Sequence, residues 1–568
     1  MKRSLLILSL LALSRPGALL ADAAGQGPLL TGEALEPLRP IAIQDGGRSK
    51  PLDTFAHELA KRVQGARPFG FDSVEKIEPT EWLLAMLVDP EHWRGEPIVK
   101  VTHAGLRQAA GLTDGKDHYS FQDLVSHKGL LGALDKVHQK LDGDREAKPD
   151  PIEREILDLE GTLLTMRGVF TGEALRIIPR PGDRRATWYS LADLDKAEVP
   201  QVQRVGALVR ALVAAYRDRD RAGVETAGRA LAARLAEIAP AVYPTAKDLA
   251  VEVHYNRAKP FRSAWLLYLL GLLALCASFP LASRAFSRAG MALVVGGFLF
   301  HAYGMALRVI ISGRPPVTNM YESVIWVAWG GMLFALVFEA VYRARFFAAC
   351  ASALAIICLI LADNVPILDG SIEPLVPVLR DNMWLTVHVL TITLGYAAFT
   401  LAMGIGHLNL GLYFFRPGQA ALFKTLSLFL YRALQVGTLF LAVGTLLGGV
   451  WASYSWGRFW GWDPKETWAL IALLGYLAML HGRFVGWIRD FGLAVGALVG
   501  YLGVLMAWYG VNFVLGTGLH SYGFGSGGYA YIGGFVAFEI LVIVGALLRR
   551  RAESHRMGRG APLPQPAH

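Results

Sequence analysis

Five tryptophans fall within eighteen residues: Trp451, Trp456, Trp460, Trp462 and Trp468. The densest stretch reads Trp456-Gly457-Arg458-Phe459-Trp460-Gly461-Trp462-Asp463-Pro464-Lys465-Glu466. Tryptophan favours a membrane–water interface, but an interfacial belt is dispersed and needs no Gly-x-x-Trp-x-Trp-Asp spacing. Aromatic faces at this density, with Gly457 and Gly461 permitting close approach, suit a flat, apolar, conjugated ligand. Arg458 and Lys465 can meet carboxylates on such a ligand.

Histidines add the second element. His388 and His520 flank the tryptophan run, and both are expected at its level of the membrane. A neutral imidazole is the usual axial ligand of haem iron. Two such rings beside an aromatic floor are what a bis-His haem site would require, and one is expected here. His481 lies about fourteen residues into a later span, ~20 Å deeper at 1.5 Å per residue. His301 is mid-span. Ionisable groups at such depth are functional candidates. His407, low in its span, reads as a histidine bonded to a neighbouring helix.

The elements that position these residues follow from the distribution of charge. Residues 264–548 hold 24 charged residues in 285, about 8%, whereas the remaining 283 hold 79 of 103, about 28%. That contrast implies a soluble segment followed by a membrane domain. Nine apolar runs are long enough to span: 264–283, 290–312, 322–342, 346–363, 383–411, 433–451, 467–487, 491–513 and 530–548. The expected fold is all-α, a polytopic transmembrane helical bundle behind an exported, mainly helical soluble domain. Alternate loops carry twelve lysines and arginines against four, which puts the first set, and the C-terminal tail 549–568, in the cytoplasm. Residues 1–25, with Lys2-Arg3 before an apolar run and a small-residue end, read as a secretory signal. Residues 26–260 are then extracytoplasmic. They show helical periodicity over 153–166 and 202–238 and no nucleotide loop, zinc spacing or nucleophile motif. His118, His127 and His138 are expected on the surface.

Composition also excludes. The net charge of +9 is explained by loop and tail cations, so no nucleic acid is expected as partner. Cys276, Cys350 and Cys358 all fall in apolar spans, and no CxxC or CxxCH occurs. Neither a covalent haem of the chain's own nor a thiol-redox motif is expected.

The run Trp456–Glu466 resembles the WGxxWxWDxKE signature of the haem-handling WWD-domain family of cytochrome c assembly, which includes CcsA (ResC), CcmC and CcmF. Trp384-Leu-Thr-Val-His388, Gly395-Tyr396, Tyr476-Leu-Ala-Met-Leu-His481-Gly-Arg483, Val511-Asn512-Phe513, Gly518-Leu-His520-Ser-Tyr522-Gly523 and Arg314-Pro-Pro-Val-Thr-Asn319-Met-Tyr321-Glu322 are similar to CcsA. The resemblance covers 264–548. Pro51-Leu-Asp-Thr-Phe55 resembles, more faintly, the exported segment of longer bacterial members.

The resemblance implies that His388 and His520 ligate haem b at the tryptophan run and that His481 holds it within the membrane. His481's usual axial partner belongs to a CcsB (ResB) protein, with His301 the substitute within this chain. It implies a system II cytochrome c synthase subunit in the bacterial cytoplasmic (inner) membrane. Such a subunit moves haem outward for thioether attachment to a CxxCH apocytochrome c, as a haem–apocytochrome c ligase acting with its partner. Asp463 and Glu466 are expected to orient the loop backbone or its basic residues. The alternatives are a haem carrier that serves a separate ligase, and an electron-transfer cytochrome b, which the outer positions of His388 and His520 suit poorly.

The topology gives a first prediction. A reporter fused after Lys259 is expected to be active outside the cytoplasm. Activity confined to the cytoplasm overturns the charge reading.

Overall fold

The computed structural model describes residues 32–65, 77–144, 147, 149–183, 185–194, 200–365, 368–375, 382–416, 418–515, 518 and 528–558. The expected secretory signal, His520 and the end of the tail lie outside the described residues. The chain divides into two compact units. One comprises residues 1–258 with 371–374, and the other comprises 259–370 with 375–568.

The first unit opens with a hairpin of β1 (Ala42–Asp45) and β2 (Arg48–Pro51), paired antiparallel with Ala42 opposite Pro51 and Asp45 opposite Arg48. Its two-residue turn, Gly46-Gly47, has positive φ at both positions. This is the backbone a tight hairpin with right-handed twist requires. Helices then dominate, the longest being Pro151–Phe170, Pro200–Arg217 and Arg221–Ile238. Leu35, Phe55, Trp82, Met86, Leu163, Phe170 and Leu235 lie in one apolar core. His138 departs from the surface expectation. It is buried, with Nε2 2.9 Å from Glu160 Oε2, because the helix Lys128–Gly143 packs on Pro151–Phe170, which supplies the carboxylate.

The faint Pro51–Phe55 motif contains a buried carboxylate with several partners. Asp53 is fully buried at the start of the helix Leu52–Gln64. Its carboxylate accepts from Arg39 at 2.8 Å, Thr80 at 3.0 Å and Asn256 at 2.9 Å. Burial alone would raise the Asp53 carboxyl. The His57 charge, the Asn256 and Arg39 hydrogen bonds and the Arg39 charge outweigh it and hold the group below its ordinary value.

Among the described residues of the second unit, nine helices are long and apolar enough to cross a membrane. They are α1 (Pro260–Ser278), α2 (Arg284–Ser312), α3 (Met320–Tyr342), α4 (Phe346–Asn364), α5 (Asn382–Phe415), α6 (Ala420–Trp456), α7 (Pro464–Phe484), α8 (Asp490–Leu505) and α9 (Tyr529–Gly558). A π-helical stretch, Met506–Leu515, continues α8. The number of spans matches the sequence reading, but α6 begins well before the expected 433 and ends beyond 451, so Trp456 is its last residue rather than a loop residue.

With no hydrophobic drive between helices inside lipid, close packing at small residues holds them together. Gly437, Gly444 and Gly448 face α5 from α6. A Cβ at Gly444 would stand 2.6 Å from the backbone of Ile392. Gly271 and Gly290 bring α1 and α2 into similar backbone contact.

A group whose pKa is depressed by folding stabilises above its unfolded value and ceases to do so as pH falls through the folded one. The first unit is therefore expected to lose stability below about pH 4. Asp53→Asn should remove much of that acid dependence and destabilise the unit at neutral pH by about 1–3 kcal/mol, because the buried Arg39 loses its fully buried partner and keeps only the more exposed Glu36 and Glu78. Hydrogen exchange of residues 52–64 in the full-length protein measures both. Unchanged protection in the variant contradicts the keystone role.

Candidate haem-handling site

The tryptophan-rich turn is built by the end of one helix and the start of the next. Gly457 ends α6 in the left-handed region, φ +72°, donating to Ser453 O at 3.0 Å. Asp463 starts α7: its side chain accepts from Lys465 N at 3.0 Å, with Pro464 at the first helical position. Proline there is preset for a helix and lacks only a hydrogen bond the helix could not have made.

Glu466 closes the turn. Its Oε2 accepts from Gly461 N at 2.8 Å and Asp463 N at 3.2 Å, and its Oε1 from Arg458 Nη1 at 2.9 Å. The two amides flank Trp462, whose φ of +57° is rare for a bulky residue and costs on the order of 1–3 kcal/mol. The carboxylate offsets that strain and leaves the Trp462 indole 69% exposed. Trp460 meets it edge-on at 5.8 Å, and Arg458 lies over Trp456 at 5.6 Å. The expected orienting role of Glu466 thus has an atomic form.

His388, in the second turn of α5, reaches the base of this turn. Its ring lies parallel to that of Trp451, 6.1 Å away and inclined by 9°. Trp451 in turn packs on Trp456 at 4.6 Å, and Trp384 stacks on Tyr454 at 5.9 Å. His388 Nδ1 is 2.8 Å from the Gly444 carbonyl. A carbonyl only accepts, so Nδ1 carries the hydrogen and Nε2 has the lone pair a metal needs. The α5–α6 glycine contact makes this bond possible, and Gly448 leaves room for the ring. Sequence reasoning missed Gly444 and Gly448. The signal available was the recurrence of glycine at 437, 444 and 448 on one face of a span.

The far side of the turn meets the π-helical stretch. Lys465 Nζ lies 3.5 Å from Asn512 Oδ1, Asn512 donates to Trp508 O at 3.2 Å, and the Trp508 indole donates to Ser323 at 2.9 Å. Gly518, φ +93°, sits so close that a Cβ would collide with Asp463 and Pro464. His520 follows two residues later, outside the described residues.

His481 and His301 differ from these. The Asp463–Glu466 cap starts α7 at Pro464, so His481 is 17 residues along, about 26 Å from the turn by helical rise rather than ~20 Å. It lies in the last turn of α7, exposed, with Nδ1 2.7 Å from Leu477 O. Its Nε2 is therefore the lone-pair nitrogen too. His301 is fully buried, Nδ1 3.4 Å from the Tyr268 hydroxyl and against the edge of Phe261. It packs between α1 and α2, whereas α7 packs on α6 and α8, so the two imidazoles are not brought together.

The fold and this site define a multi-pass helical membrane protein with an aromatic, histidine-bearing turn at one end of its spans. Residues 317–520 match the family model described as cytochrome C assembly protein. The chain is 35% identical over 300 residues to the cytochrome c biogenesis protein CcsA of Synechococcus sp. (strain CC9605), covering 46% of this chain and 98% of that protein. It is 34% identical over 270 residues to CcsA of Synechococcus sp. (strain RCC307), covering 42% and 85%. It is 31% identical over 496 residues to protein NrfI of Wolinella succinogenes, covering 84% of this chain but 53% of NrfI, so it spans about half the length of that relative. The chain belongs to the CcsA-type cytochrome c assembly family, with a haem-handling role in cytochrome c maturation.

Gly448 yields the prediction here. A Cβ at this position would stand 2.6 Å from His388 Cε1 and 2.9 Å from Nδ1. Gly448→Ala should push the ring off the Gly444 carbonyl and lower the haem retained by purified protein by roughly tenfold or more, as for a lost supporting contact. Gly475→Ala, with open space at its Cβ, should leave haem content unchanged. Equal haem in both variants removes His388 from the site.

Proposed function

We propose that this protein is the CcsA-type subunit of a cytochrome c synthase whose substrate is haem b. Haem is taken from the membrane or its inner side, moved outward, and presented at the tryptophan-rich turn to a CxxCH apocytochrome c. The observation that carries the reading is the state of His388. Its Nδ1–H is committed to the Gly444 carbonyl, its Nε2 is the coordinating nitrogen, and its ring is fixed on Trp451 beneath the turn. His520 is the second axial ligand. The contact of Gly518 with Asp463, two residues before it, supports its nearness to the turn.

Trp456, Trp460 and Trp462 receive the porphyrin face, and Arg458, in the turn itself, is the cation for its carboxylates. Each cysteine thiol adds across a vinyl group. Sulfur bonds to the carbon next to the ring and the thiol hydrogen goes to the terminal carbon, so no outside electron donor is needed. The contribution of the chain is orientation of iron and vinyl edges.

His481 has the same tautomer at the far end of α7, and at about 26 Å by helical rise it cannot share an iron with His388. It holds haem earlier, on the inner side. The enclosed ring of His301 favours a CcsB/ResB-like membrane protein as the source of the second ligand there. The charge asymmetry of the loops supports a bacterial cytoplasmic membrane location, with the tryptophan-rich turn and residues 26–260 outside and the C-terminus inside.

His388→Ala and His520→Ala should each abolish covalent haem on a CxxCH reporter in a host lacking its own pathway, with the protein still inserted. Added imidazole should partly restore it by filling the vacated axial position. His481→Ala should lower total haem content instead. Normal assembly in both outer variants excludes them as ligands. A wild-type protein that carries haem but never yields covalent haem on the reporter with its partner present identifies a carrier instead.

A further inference from the structure

One ionisable pair in the spans belongs to none of the groups above. His407 on α5 and Glu539 on α9 approach to 3.2 Å between Nε2 and Oε1. The Glu539 side chain is 1% exposed, although α9 is otherwise the most lightly covered of the nine spans. A carboxylate on the one protein-facing stripe of an apolar helix is costly to keep in a membrane and marks a functional candidate.

His407 Nδ1 lies 3.0 Å from the Met403 carbonyl, which has no hydrogen to give, so Nδ1 carries one. Nε2 then bears either a lone pair or a second hydrogen. Neither Glu539 oxygen, nor Nε2, has a formed hydrogen bond among the described residues. The 3.2 Å contact is an ion-pair approach. A bare carboxylate against a bare imidazole lone pair would set two negative ends together in an apolar span. A proton between them removes that repulsion and leaves the pair neutral as a unit.

Among the described residues no other counter-charge is paired with Glu539. Tyr501 of α8, which accepts a hydrogen bond from Thr400 at 3.1 Å, is a further titratable neighbour of Glu539 and interacts also with Cys358 of α4. Phe538 stacks on the imidazole at 5.7 Å. The arginine of α9 next along the helix is Arg549, ten residues on, and it is engaged with Glu553 at 3.1 Å.

We propose that His407 and Glu539 form an intramembrane proton-binding site that holds one proton on the pair and clasps α9 to α5. The proton comes from and returns to water, and no covalent or redox step is involved. Loss of the proton leaves a buried negative charge without a partner and loosens the helix contact. The nitrogen that serves for iron in His388 and His481 is here turned to a carboxylate, so the site is separate from the haem route and does not rest on it.

The test is the proton inventory of the full-length protein in nanodiscs, read by nitrogen-15 histidine NMR and carboxyl infrared absorption. In the wild type at pH 7, either His407 carries hydrogen on both nitrogens or Glu539 is a neutral acid. Glu539→Gln should leave His407 neutral, with its hydrogen on Nδ1 alone. His407→Ala should produce a neutral-acid carboxyl band that disappears in the double variant. The double variant should also be no less heat-stable than either single variant, because each single change already breaks the clasp. A wild type with neutral His407 and ionised Glu539 at pH 7 overturns the proposal, and that reading needs no variant. Strictly additive stability losses overturn the clasp.

Discussion

The carboxylate of Glu466 is the constraint on which the tryptophan-rich turn depends. The turn has to reverse a chain between two long apolar helices and still offer indole faces outward. Trp462 achieves this with a left-handed backbone that a large side chain resists. Both amides around it converge on one carboxylate oxygen, and the other oxygen holds Arg458. The same residue completes the capping box that starts α7. One side chain thus sets the shape of the turn, the start of the next span and, by helical rise, the depth of His481.

A second constraint comes from the membrane. A histidine in an apolar span must place its N–H, and among the described residues three of them give it to a carbonyl: Gly444 for His388, Met403 for His407 and Leu477 for His481. This fixes one tautomer three times over and turns Nε2 outward from the donor's helix or neighbour. What Nε2 then meets distinguishes the three. His407 meets a carboxylate, the exposed His481 ring stands in the last turn of its helix, and His388 lies against Trp451. Identical local chemistry is therefore differentiated by what each ring faces beyond its own helix.

The first unit depends on a comparable device. Asp53 gathers donors from residues 39, 80 and 256, which lie far apart in the chain. The motif that contains it carries no visible chemistry because its work is internal. Its acid sensitivity arises from the His57 charge and the Asn256 and Arg39 contacts around the buried carboxylate.

The number of spans, the aromatic turn and the candidate histidines were legible in the sequence, because apolar length, tryptophan density and imidazole placement are local properties. Helix limits were less so. Apolar length marks the hydrocarbon core, whereas α6 continues to Trp456 on backbone hydrogen bonds that composition does not register. The burial of His138 was invisible because its partner Glu160 is on another helix, and so was the carboxylate that meets His407, 132 residues away. The role of Gly448 depends on the backbones of α5 and α6 approaching closely enough for one imidazole ring to fit between them. The sequence by itself determined which residue types were available and at what spacing along each helix. Only the tertiary structure decided which nitrogen, oxygen or ring each would face, because those contacts are set by how helices distant in sequence pack side by side.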